Sequence, residues 1–158
     1  MRRLLLLIPV LTLGCGDRST LPYLGKWSGG FTVERLGKGV VGDARRNGLK
    51  GFLQLYRTGA RYELHLEGEQ FGLDSGGSWS QKDGQVILTP KSVKPDDRGG
   101  KESSDPNKAW IEPTDLSDAY SKPLAFRLSK DGKRLTGLLV DVGPLTGTHA
   151  FVREGSGR

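Results

Sequence analysis

Few side chains in this 158-residue chain are of a type that does chemistry, and each has a readable context. Cys15 is the one thiol. His65 lies between Glu63 and Glu67. On a strand, alternate residues share a face, so these three are neighbours: two carboxylates and an imidazole, a donor set for a divalent ion. A solvated strand face has the same pattern. His149, the other histidine, has no acidic residue close by in sequence. Ser75, in the run Asp74, Ser75, Gly76 and Gly77, reads as part of a turn rather than as a nucleophile. No Gly-x-Ser-x-Gly elbow is present. Two carboxylates about 5–10 Å apart would serve glycosidic hydrolysis, but no pair is singled out. Glu112, Asp115 and Asp118 recur at three-residue steps, one negative edge if the segment is helical. They lack the Asp-x-Asn/Asp loop with its glycine that holds calcium, and a solvated loop is the alternative. The expectation is therefore no catalytic residue, no metal site and no cofactor.

Cys15 has the most specific surroundings. Arg2 and Arg3 make a short positive start, and residues 4–13 are apolar apart from Pro9 and Thr12. That stretch has the length of a secretory signal core and is too short to span a bilayer as a helix. Leu11, Thr12, Leu13, Gly14 and Cys15 resemble the lipobox of bacterial lipoproteins, with Thr12 standing where leucine is commoner. The resemblance implies that residues 1–14 are a signal peptide, that Cys15 carries lipid, and that residues 15–22 tether one domain, 23–158, to a membrane. It implies a cell-envelope location. Gly16 rather than Asp after the cysteine points to the outer membrane in a Gram-negative host. The alternatives are an ordinary secretory signal with an incidental cysteine, or a buried N-terminal strand.

Removing the signal changes the charge balance. The chain carries 24 Lys and Arg against 18 Asp and Glu; without Arg2 and Arg3 it has 22 against 18, a net of +4. This is too small to argue for nucleic acid, though it suits weak attraction to anionic envelope surfaces. With Cys15 committed to lipid, no disulfide is available, so packing and strand pairing must supply the stability. Twenty-four glycines and eight prolines disfavour helices.

The positioning elements read as strands. The clearest is 61–67, with Tyr62, Leu64 and Leu66 on one face and Arg61, Glu63, His65 and Glu67 on the other. Thr58, Gly59 and Ala60 form a hairpin turn before it, and Lys82, Asp83 and Gly84 form another further on. Residues 35–50 make a Gly-rich basic loop with Lys38, Arg45, Arg46 and Lys50, suited to lipid phosphates or simply to solubility. Residues 91–122, with Pro95, Pro106 and Pro113, read as a long loop insertion pinned at Ala109, Trp110 and Ile111. Strand rhythm returns at 124–129, 134–141 and 146–153, about eight strands in all. Expected interior residues are Trp27, Phe31, Leu53, Leu55, Tyr62, Leu64, Leu66, Trp79, Ile87, Phe126, Leu128, Leu139 and Phe151.

One phrase repeats. Gly25, Lys26, Trp27 and Ser28 recur in form as Gly77, Ser78, Trp79 and Ser80. Glycine two residues before tryptophan, at the start of the first strand, resembles the Gly-x-Trp signature of lipocalin-like (calycin) barrels, in which the tryptophan plugs the closed end. The layout over residues 24–90 resembles the amino-terminal barrel of NlpE-type envelope lipoproteins. The cysteine pair of that family is absent, which removes the case for thiol or metal sensing. The resemblance implies an all-β fold: an antiparallel up-and-down barrel of about eight strands. Such barrels fill with side chains or enclose one small ligand. The leading expectation is a non-enzymatic lipoprotein binding a small apolar or amphipathic ligand, with Trp27, Tyr62, Leu64, Trp79 and Phe126 as the binding residues. The second is a solid barrel serving as an envelope-stress sensor or protein-interaction module, with an envelope protein as partner. A hydrolase acting on envelope material is third.

Overall fold

The computed structural model describes residues 18–38, 48–68, 71–97 and 111–155. Among them, nine strands and one α-helix follow one another: β1 (Gly25–Leu36), β2 (Leu49–Leu55), β3 (Arg61–Glu67), β4 (Phe71–Lys82), β5 (Gln85–Asp97), α1 (Pro113–Tyr120), β6 (Leu124–Leu128), β7 (Arg134–Gly137), β8 (Val140–Val142) and β9 (Leu145–Arg153). Each strand from β1 to β7 pairs antiparallel with the next, β7 pairs β9, and β9 returns to β1 from Trp27 to Leu36. The sheet therefore closes into an eight-stranded antiparallel barrel with β8 as an extra strand.

One edge of β9 is taken by β1 along its length, so β7 and β8 share the other. The register runs from Arg134↔Val152 to Thr136↔Ala150, then from Val140↔Gly147 to Val142↔Leu145. Between Thr136 and Val140 one side advances a residue more than the other, a β-bulge that breaks a single stave. The bulge resets the alternation. Gly137 faces in, and Leu138 and Leu139 both stand in solvent, at 53% and 59% exposure. Leu139 is thus outside rather than in the core. Ile87 is also displaced from the expected interior: Val86 and Leu88 face in, opposite Phe126 and Leu124, and Ile87 is half-buried. Leu128 is half-buried.

The repeated phrase has two physical origins. Gly25 holds φ +116°, a conformation open to glycine and strained for other residues. Gly77 sits where β4 slips register against β5, and a Cβ there would lie 2.2 Å from the Thr89 carbonyl oxygen. Both tryptophans point inward, and each indole N–H donates to a backbone carbonyl at 2.9 Å, Trp27 to Tyr23 and Trp79 to Tyr56. Residues 91–122 are not all loop. Lys91 to Asp97 continue β5, and Pro113 to Tyr120 form α1. Ile111 is buried, while Ala109 and Trp110 lie outside the described residues. In the expected tether, Arg18–Tyr23 form a 3-10 turn.

Candidate functional site

The polar chemistry inside the barrel gathers where α1 meets it. The helix begins with a reciprocal cap: the Glu112 N–H donates to the Asp115 carboxylate at 2.9 Å, and Pro113 stands at the first turn. Two of the three acidic residues that suggested a calcium edge are thus engaged at a helix start. Leu116, Ala119 and Tyr120, at i, i+3 and i+4 spacing, form its buried face. β6 pairs β5 only from Gln85 to Leu88, and α1 packs against β5 and β8, the strands on either side of the gap this leaves in the wall.

Tyr120 reaches into the barrel, and its hydroxyl shares a 2.8 Å hydrogen bond with Nε2 of His149. Both residues are fully buried. The imidazole sits among aromatic rings, with Phe31, Tyr120, Phe126 and Phe151 at centroid distances of 5.3, 5.5, 5.7 and 6.2 Å. Gly137 makes room for it, since a Cβ there would stand 3.2 Å from the His149 Cβ. Burial pushes the His149 pKa down from 6.5 to about 4 and lifts that of the Tyr120 hydroxyl far above its ordinary value. At neutral pH the pair is an uncharged hydrogen bond. Nδ1 of His149 has no hydrogen-bond partner among the described residues.

The five residues expected to bind ligand are all in one core cluster: Trp27, Tyr62, Leu64, Trp79 and Phe126, each 6% exposed or less. The Tyr62 hydroxyl hydrogen-bonds Ser75 Oγ at 2.9 Å. Ser75 is therefore an inward residue in the middle of β4, not a turn residue. At the N-terminal end, Trp27 covers the core, with the Arg153 guanidinium 4.8 Å above its ring.

His65 is on the outer wall, apart from His149. Phe52, His65, Asp74 and Lys94 lie opposite one another across β2 to β5. His65 Nδ1 pairs with Asp74 at 2.7 Å, and its Nε2 is 3.9 Å from Glu67. Glu63 instead accepts the Tyr56 hydroxyl at 2.8 Å. The trio read from β3 is thus divided between two partners. Among the described residues no group of three or more His, Cys, Asp or Glu is arranged to hold a metal. Cys15, Arg45 and Arg46 lie outside the described residues, and no described helix is long and apolar enough to cross a membrane.

Sequence reasoning missed Tyr120 and its link to His149. The signal was present: Glu112, Pro113 and Asp115 ahead of Leu116, Ala119 and Tyr120 is a capped amphipathic turn. No model of a known protein family matches the chain, and no curated protein matches it.

Proposed function

We propose that this protein is a lipid-anchored envelope lipoprotein whose barrel is a solid interaction module, related in design to the NlpE-type barrels. The observation that carries the reading is the filled interior, to which the buried Tyr120–His149 pair belongs. Ligand-binding barrels need an open mouth and an interior volume. Here the interior positions Trp27, Leu53, Leu66, Val86, Leu88, Phe126, Leu135 and Phe151 are 0% exposed, so no water-sized space touches them. Tyr120 and His149, both buried and hydrogen-bonded to each other, take up interior space as well. That packing favours contact through the outer surface over a bound cargo. The bulge supplies a contact point, because it displays Leu138 and Leu139 side by side in solvent.

Two experiments test this. Native mass spectrometry of the chain from Gly16 onward is expected to give the bare polypeptide mass; a stoichiometric co-purifying lipid would restore the ligand-binding reading. Crosslinking from position 138 or 139 in envelope-bearing cells is expected to trap a defined protein partner, and the yield should fall on replacing both leucines by serine. The anchor is tested separately. Cys15→Ser is expected to abolish incorporation of labelled fatty acid. Unchanged labelling in that variant would defeat the anchor.

A further inference from the structure

The barrel has a charged axis. At the end where β1 begins, three hairpin turns come together, residues 56–61, 82–85 and 128–134. They carry Arg57, Arg61, Lys82, Lys130, Lys133 and Arg134 against Asp83 and Asp131, a net of +4, and all eight side chains are exposed. This equals the net charge of the whole chain from Cys15 onward. The opposite end has no such excess of cations among the described residues: Arg35, Lys38, Lys50, Lys94 and Lys122 are outnumbered there by acidic residues, among them Glu112, Asp115, Asp118 and Asp141.

The chain enters at the basic end. Arg18–Tyr23 lie against it, with the Tyr23 hydroxyl donating to the Gly84 carbonyl in one of its turns at 3.4 Å, and Arg153 holding the carbonyls of Pro22 and Leu24. Leu21 is 45% exposed there. Only three peptide links separate Cys15 from Arg18, a reach of about 10 Å. That is close to the ~8 Å over which charges act at physiological salt. We infer that this end is a second membrane contact, docking electrostatically on anionic phospholipid headgroups and setting the barrel upright with its acidic end outward. The inference rests on Cys15 as the anchor for its geometry. A basic patch beside a lipid anchor adds electrostatic affinity for an anionic membrane surface.

The test uses the chain from Gly16 onward, which carries no lipid. Its closed barrel, the Tyr120–His149 pair and every described core residue lie between Tyr23 and Arg153, all within that chain. It is mixed with vesicles of phosphatidylcholine alone or with phosphatidylglycerol at three to one, and sedimented. Binding is expected only to the anionic vesicles and is expected to disappear as salt is raised. Lys130→Glu with Lys133→Glu should weaken it on the order of fivefold or more per residue. Lys94→Glu with Lys122→Glu changes net charge equally at the other end and should leave most of the binding. Equal loss in both pairs means diffuse attraction without a docking end, and overturns the inference. So does absence of binding to anionic vesicles at low salt. Because this protein is unlipidated, either failure leaves the Cys15 labelling result standing. Failure of labelling would instead remove the anchor while the vesicle result stood.

Discussion

Trp27→Ala is expected to cost about 3–5 kcal/mol of stability, the range for truncating a fully buried large aromatic. Trp27 is 0% exposed, donates its indole N–H to Tyr23 at 2.9 Å, and carries the Arg153 guanidinium over its outer face. Truncation therefore opens a void at the N-terminal end of the core and frees the segment that closes it. Urea unfolding reads the loss as a lower midpoint at similar slope. Trp27→Phe separates the two contributions: it keeps much of the apolar volume but leaves the Tyr23 carbonyl without its donor, and about 1–2 kcal/mol is expected. A loss below about 1 kcal/mol for the alanine variant is incompatible with Trp27 as an end plug.

The second large effect is acid sensitivity centred on His149. Burial among four aromatic rings lowers its pKa in the folded state from 6.5 to about 4. The unfolded chain therefore binds a proton at a pH where the folded chain does not. Stability rises with pH wherever the unfolded state holds more protons. The His149 contribution is complete above pH 6.5, falls as pH drops toward 4, and is lost below that. At about 1.4 kcal/mol per pKa unit, on the order of 3 kcal/mol disappears across the window, about 2 of it by pH 5. Urea midpoints at pH 7 and pH 5 measure this directly. His149→Phe removes the titrating group and is expected to flatten that part of the profile, whatever its effect on absolute stability. Tyr120→Phe keeps the histidine buried and should retain the slope while lowering stability at neutral pH. A profile equally steep in His149→Phe would place the acid response elsewhere.

The wall was the most legible part of the fold. β3 alternates cleanly from Arg61 to Glu67, and a side chain on a strand has only two faces to choose between. The turn at Asp83 and Gly84 was equally clear, for both residues adopt positive φ, as a two-residue hairpin requires. Where alternation failed, so did the reading. Val86, Ile87 and Leu88 are all apolar and carry no phase; the phase comes from Trp79 opposite Leu88 and Phe126 opposite Val86. Ser75 resembled a turn because two glycines follow it, yet those glycines lie opposite a bulge in β5, where Lys91 is the extra residue. Leu139 misled for the same reason, since an extra residue in one strand turns the next side chain over.

The candidate site was harder still. His149 and Tyr120 are 29 residues apart, and neither has a distinctive local context. The amino-acid sequence by itself determined an all-β chain, its turns, its inward-facing aromatics and a lone cysteine beside an apolar leader. These are local properties, set by alternation, glycine and charge within a few residues. The tertiary structure alone decided that the barrel is filled, that a helix from the supposed loop packs on β5 and β8, and that basic turns gather at one end. Those outcomes depend on which strands become neighbours when the sheet closes on itself, and closure joins residues that no local pattern connects.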